Sequence, residues 1–170
     1  VRPLDKVNVT YPERRHLKNG IPLNIIQAGM EEVVRFDLLI GAGQWQQTQA
    51  LQAMFTNRML REGTPSFTSQ QISEKLDYYG AMLELSSSVN CGFITLYSLN
   101  KYFPQTLALV ADMLMHPTFP EKEMGVVVEM NKQRFLINSS RVEMKARKRL
   151  NRALFGEVHP LGRYAEAQDY

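Results

Sequence analysis

The sequence predicts an α+β fold, in which a mainly antiparallel sheet carries helices packed on one face. The predicted segments follow the order β-β-β-α-α-β-β-α-α, so strands and helices do not alternate singly as they do in a doubly wound parallel sheet. Residues 92–99 alternate between two sets of side chains, as a strand with one buried face does. Residues 104–115 form a strongly apolar helical segment that can cover such a face.

Three strands are predicted before the first helix. Residues 7–11 and 21–26 are expected to form a hairpin, because the Asn-Gly pair in the turn at 17–20 tolerates positive φ. Residues 31–40 have the composition of a buried strand, which ends at the conformationally permissive Gly41-Ala42-Gly43.

The rest of the chain is predicted from apolar periodicity and from Gly and Pro breaks. The remaining predicted segments are helices at 48–61 and 68–79, strands at 82–89 and 92–99, and a helical stretch at 120–155 with a break near Asn138.

Composition excludes several classes of protein. The 170 residues are 44% hydrophobic and 22% charged, which is close to the globular average and excludes disorder over the whole chain. The net charge of +3 is too weak to indicate a nucleic-acid partner. The single cysteine, Cys91, excludes an internal disulfide framework. No apolar run reaches the length of a membrane span, so we expect a soluble protein, with its compartment open between bacterial periplasm and cytoplasm.

The residues alone show no active site. His16, His116 and His159 are far apart in sequence, so no two of them stand one helical turn apart as helical zinc ligands do. Cys91 has no nucleophile motif around it, and the expected role of its thiol is structural or a surface one.

One charge feature stands out between residues 132 and 152. This stretch holds eight basic residues and a single acidic one, Glu143. Such a charged stretch is usually a solvated helix face, or else a protein-binding face. A nucleic-acid surface is less favoured, because few aromatic residues are interleaved with the basic ones. The candidate interaction face comprises Lys132, Arg134, Arg141, Lys145, Arg147, Lys148, Arg149 and Arg152.

Six short motifs occur in collinear order, and together they resemble the insulinase-like M16 metallopeptidases (the pitrilysin and mitochondrial processing peptidase family). They are Leu17–Leu23, Ile40–Gly43, Met59–Thr64, Tyr79–Ala81, Met115–Pro120 and Phe155–Arg163. The resemblance implies an M16-like α/β-roll half. It also implies that residues 1–170 are a single N-terminal domain, cut short before a closing helix, a closing strand and a second domain.

The resemblance also locates a degenerate zinc site. The family's H-x-x-E-H corresponds to residues 54–58, which puts Met54 and Arg58 at the imidazole positions and Asn57 at the catalytic glutamate. A guanidinium cannot coordinate a cation, and an amide cannot take a proton from metal-bound water. The third ligand position corresponds to Met130, or to Glu129 if the register slips by one. We therefore expect no zinc and no other cofactor.

The family also binds extended peptides along a strand edge, which this sequence places at Leu83, Glu84, Leu85 and Ser86. The family's Asn-Ala pair is replaced by Glu84-Leu85, but backbone pairing needs no particular side chain.

The resemblance implies a catalytically inactive homologue. It would pair with an active M16 subunit around a peptide chamber, or self-associate to cover apolar surface left open by truncation. Two alternatives stay open: an active metallopeptidase with a displaced site, and a stand-alone peptide-binding or scaffold protein.

Overall fold

The computed structural model describes residues 9–170. Contacts divide the chain into two units, and the boundary between them falls between residues 32 and 33 of the sequence. The first unit contains a hairpin of β1 (Glu13–His16) and β2 (Pro22–Ile25), with Glu13 opposite Ile25. Gly20 takes a φ of 85° in the turn, as the Asn-Gly pair predicts.

The predicted position of the first strand is wrong, since residues 7–11 and β1 share no residue. β1 begins at Glu13, whereas Val9 and Tyr11 precede it and Val7 lies outside the described residues. The turn pairs His16 with Pro22, and the four residues of β2 reach back only as far as Glu13. The apolar–polar alternation before Glu13 therefore lies outside the strand, because the pairing with β2 ends at Glu13.

The second unit contains an antiparallel sheet in the order β3-β5-β4. Its strands are β3 (Val33–Ile40), β4 (Met82–Ser87) and β5 (Gly92–Leu99). The central strand β5 pairs Leu96 with Phe36 on one side and with Leu83 on the other. Within the described residues β4 pairs only with β5, so it is an edge strand.

Five α-helices complete the described part of the second unit. They are α1 (Gln52–Met59), α2 (Ser69–Tyr78), α3 (Phe103–Met115), α4 (Glu121–Ser139) and α5 (Val142–Phe155). The helical break predicted near Asn138 separates α4 from α5. The mixed architecture confirms the predicted α+β class with an antiparallel sheet and packed helices.

The core lies between one face of the sheet and the helices. Ile94 and Leu96 of β5 are buried against Ile72 of α2 and against Val110 and Met113 of α3. On the opposite face Thr95 Oγ1 donates a 2.7 Å hydrogen bond to Asp37 Oδ1, and the Arg35 guanidinium lies 5.5 Å from the Tyr97 ring centroid. The alternation within β5 therefore separates an apolar face from a polar one.

The first helix starts later than the periodicity predicts. Thr48 lies outside α1, because the helix begins at Gln52 after Leu51, whose φ of 66° is left-handed. The Gln52 side chain accepts hydrogen bonds from the Thr48 backbone and hydroxyl. Because the Gln52 side chain already accepts a hydrogen bond from the Thr48 N–H, that group needs no partner from a helical backbone.

The loop that leads into α1 lies against the β4–β5 turn, and Gly43 is where the two backbones approach most closely. A Cβ on Gly43 would lie 2.6 Å from Cys91 N, and closer still to backbone atoms of Val89 and Asn90. Hydrogen bonds from Gln44 N to Ser88 O (3.1 Å) and Trp45 N to Val89 O (3.0 Å) hold the approach. The loop is thereby fixed before α1 begins.

Gly43→Ala should destabilise the chain by roughly 1–3 kcal/mol, because backbone atoms cannot move aside as a flexible side chain can. The measurement is urea denaturation followed by circular dichroism. Gly41→Ala is the matched control, since its Cβ would meet no atom within 4 Å. Equal costs for the two variants would contradict the close approach.

Candidate functional site

Helix α1 and edge strand β4 border a cleft of about 520 Å³, called here the larger cleft. Met54, Asn57 and Arg58 line it from α1, and Leu85 and Ser86 line it from β4. The i, i+3, i+4 spacing of the three α1 residues puts them on one side of the helix. Residues predicted separately from two motifs therefore lie beside the same cleft.

Arg58 is held by α4. Its Nη1 donates a hydrogen bond to Asn131 Oδ1, and Asn131 Nδ2 donates to Val127 O at 2.6 Å. Asn131 is the one buried residue of α4, with 8% of its surface exposed. The amide is therefore fixed at both ends and presents its oxygen to the guanidinium.

Asn57 is buried against β5. Its side-chain nitrogen lies 3.1 Å from where a Cβ on Gly92 would stand, so the absence of a side chain at Gly92 makes room for it. Its Oδ1 is buried and meets no hydrogen-bond donor in the described part of the chain. An unpaired buried amide oxygen costs roughly 1–3 kcal/mol.

Arg58 also lines a second cleft, of about 390 Å³, which is called here the arginine cleft. Arg58 and Arg61 of the α1 region line it together with Arg134 of α4. Burial lowers the pKa of the Arg58 guanidinium, and the like charge of Arg134 lowers it further. Three of the nine residues that line this cleft are therefore arginines, against one acidic residue, Glu62.

Aromatic rings lie beside Arg58. The Tyr170 ring stands edge-on to Phe55 of α1, with centroids 6.0 Å apart, and tilted against Phe135 of α4 at 5.3 Å. Burial raises the pKa of the Tyr170 phenol, although the nearby charge of Arg58 acts in the opposite direction. The phenol is therefore a neutral neighbour of Arg58 at physiological pH.

The predicted peptide-binding residues lie on the edge strand, but they do not all face the clefts. Leu85 lines both clefts and Ser86 lines the larger one. Leu83 is buried in the core, and Glu84 is exposed on the strand. Alternate residues of an antiparallel edge strand point their backbone groups away from the sheet, so β4 can accept a further strand.

Comparison with protein families assigns the chain to a family. The sequence profile of the insulinase family (peptidase family M16) matches residues 25–163, which span the described strands from the end of β2 and all five helices. The chain belongs to this family.

Solved structures support the same fold. The insulinase-family chain matches a peptidase M16 inactive domain from Pseudomonas fluorescens with a TM-score of 0.83 at 21% identity, over 90% of this chain and 38% of that one. It also matches a protease from Helicobacter pylori, with a TM-score of 0.74 at 14% identity, over 91% of this chain and 38% of that one. The chain thus spans less than two fifths of either structure's length. No curated protein matches it.

The family's zinc does not fit the residues at this site. At the two positions predicted to correspond to the imidazole ligands, Arg58 carries a permanent positive charge and Met54 offers only a thioether, which is a poor ligand for Zn²⁺. Among the described residues, no three His, Cys, Asp or Glu side chains converge on a point where an ion could be held.

The residue of α4 that contacts Arg58 is next to the predicted third ligand position, Met130. Asn131 rather than Met130 contacts Arg58, because Met130 is 62% exposed at the rim of the arginine cleft. Glu129 is also exposed and accepts a 2.7 Å hydrogen bond from Gln133 Nε2. The α4 side chain that meets α1 at Arg58 is therefore Asn131, and the assignment of Met130 to the third ligand position stays a prediction.

Three of the residues at the site escaped sequence analysis, namely Asn131, Arg61 and Tyr170. A signal existed only for Asn131, which lies four residues after Val127 and so shares its side of the helix. Arg61 follows the end of α1, and Tyr170 reaches Arg58 through tertiary packing that sequence spacing does not indicate.

The basic stretch is divided between two helices. Arg134 belongs to the arginine cleft, whereas the residues from Arg141 to Arg152 lie on or beside α5, which has no buried residue. Arg152 pairs with Glu157, and Lys148 Nζ lies 5.8 Å from the Tyr164 ring centroid. The predicted interaction face therefore takes its residues from two helices.

None of the helices in the described part of the chain combines the length and the apolar character that crossing a membrane requires.

Proposed function

We propose that this insulinase-family chain is a catalytically silent M16-like subunit that binds extended peptides along β4 beside an active zinc peptidase. One observation carries the proposal: the Arg58 guanidinium, at the position that the resemblance assigns to a zinc ligand, is held in the cleft by a hydrogen bond to Asn131. A fixed positive charge repels a divalent cation, so the site is unsuited to activating water.

Peptide binding would use the backbone rather than the lost catalytic groups. An extended peptide that adds to β4 gains main-chain hydrogen bonds, and its alternate side chains would enter the clefts beside Leu85. The exposed Glu84 does not obstruct this, since strand addition needs only free backbone groups. Binding without cleavage suits a subunit that positions a peptide for a partner's active site.

The first test measures zinc and peptidase activity on the purified protein. We expect substoichiometric zinc by inductively coupled plasma mass spectrometry and no chelator-sensitive cleavage of a fluorogenic peptide library. Stoichiometric zinc together with cleavage that a chelator abolishes would overturn the proposal in favour of a displaced metal site.

The second test measures pairing with an H-x-x-E-H-bearing subunit from the same source. We expect a stable heteromer on size-exclusion chromatography, and a rise in the partner's chelator-sensitive activity when this chain is added. Peptide binding with no heteromer and no change in the partner's activity would instead identify a stand-alone peptide-binding protein.

A further inference from the structure

The arginine cleft carries an imbalance of charge. Arg58, Arg61 and Arg134 line it, and within residues 9–170 none of the three forms an ion pair with a carboxylate. Glu62, the one acidic residue of the lining, accepts a 2.8 Å hydrogen bond from Ser69 Oγ instead of pairing with an arginine.

The hydrogen bonds of the arginines leave much of their capacity unused. Arg58 is bonded to the neutral Asn131, and Arg61 Nη2 reaches Ser73 Oγ only at 3.5 Å. A guanidinium presents several N–H donors in a planar fork that matches a carboxylate. The cleft therefore offers donors and positive charge without an acceptor of opposite charge.

Partial burial makes this imbalance costly. Water screens the half-buried Arg58 less than a surface guanidinium, and the like charge of Arg134 adds repulsion. An anion in the cleft would relieve that repulsion and form charge-assisted hydrogen bonds. Such a site favours negatively charged ligands over neutral ones of the same shape.

The location of the cleft indicates which anion it meets. Leu85 of the edge strand is part of its lining, so a peptide paired with β4 would pass the arginines within the reach of a side chain. Acidic side chains and a free C-terminal carboxylate are the anions that such a peptide can carry, and acidic side chains are the ones available along its length.

We propose that the arginine cleft selects acidic peptides by binding a peptide carboxylate between Arg58, Arg61 and Arg134. This inference rests on the proposed peptide-binding function and names the class of peptide. The arginines lie beside the position that the resemblance assigns to the family's metal. Their guanidinium groups would therefore orient the peptide by binding its carboxylate.

The test uses fluorescence anisotropy with three labelled peptides of alternating Thr and Val. One carries two central Glu and blocked termini, the second carries Gln at the same positions, and the third is the Gln peptide with a free C-terminal carboxylate. We expect the Glu peptide to bind about tenfold more tightly than the blocked Gln peptide, equivalent to about 1.4 kcal/mol. The third peptide distinguishes a side-chain carboxylate from a terminal one.

The decisive variant is Arg61→Gln/Arg134→Gln, which leaves the Arg58–Asn131 contact in place. It should abolish most of the preference for Glu over Gln. The matched control is Arg141→Gln/Arg149→Gln, which removes the same charge from exposed positions outside the cleft and should keep the preference. Circular dichroism establishes that both variants are folded.

Three outcomes would overturn the inference. Equal binding of the Glu and blocked Gln peptides would remove the acidic preference but leave peptide binding intact. Loss of the preference in the Arg141/Arg149 control as well would show general attraction to a basic protein. Binding of none of the three peptides would also refute peptide binding itself, and with it the proposed function.

Discussion

The triple variant Met54→His/Arg58→His/Asn131→Glu should bind zinc at about one ion per chain. Residues 54 and 58 are one helical turn apart on the side of α1 that faces the larger cleft, so two imidazoles there can share an ion. The Arg58–Asn131 hydrogen bond shows that a side chain at position 131 reaches residue 58 of α1, and a carboxylate there would supply the third ligand. Water would take the fourth position.

The measurement is zinc content after dialysis, followed by competition with a chromogenic chelator. The matched control is Met54→His/Arg58→His/Met130→Glu, which moves the carboxylate to a largely exposed position. We expect the control to bind zinc at least roughly tenfold more weakly, because a two-imidazole site lacks its third protein ligand. Equal affinities, or a folded triple variant that binds no zinc, would contradict the placement of Asn131.

Leu96→Ala should be among the most destabilising single changes in the chain. Leu96 is 0% exposed in the central strand β5, and the apolar core surrounds it. Truncation to alanine removes buried methyl groups and leaves a cavity that the sheet cannot close, at a cost of about 3 kcal/mol. Urea denaturation at neutral pH measures the loss in the free energy of unfolding.

Leu39→Ala is the matched control for Leu96→Ala. Leu39 lies in the neighbouring strand β3 and is 57% exposed, so the same chemical change should cost within about 0.5 kcal/mol. Similar losses for the two variants would show that the core does not lie on the Leu96 face of the sheet.

The fold could be predicted wherever local pattern and tertiary burial agree. Residues 92–99 alternate because β5 buries one face, and the predicted strand has the observed bounds. The capped start predicted near Thr68 is also confirmed, since its hydroxyl accepts from Gln71 N and the Gln71 side chain accepts from Thr68 N. Both signals depend on neighbours in sequence.

The errors occur where strand pairing or backbone conformation, which apolar periodicity does not show, decides the boundary. β1 is limited by the length of β2, and the start of α1 by the left-handed Leu51. The residues of the site were predictable in part, because the resemblance locates positions 54, 57 and 58. Asn131 was missed because apolar and polar side chains are spread almost evenly around α4, which therefore has no clear buried face in the sequence.

The edge of β4 that has no partner strand within residues 9–170 links two equilibria. The same outward-facing backbone groups cannot pair with a peptide and with a strand of a second chain at the same time. Any edge-to-edge association of copies through β4 would therefore compete with peptide binding, and the apparent peptide affinity would fall as protein concentration rises. Saturating peptide would conversely dissociate such oligomers. The concentrations of peptide and protein would therefore set the proportions of peptide-bound and self-paired chains.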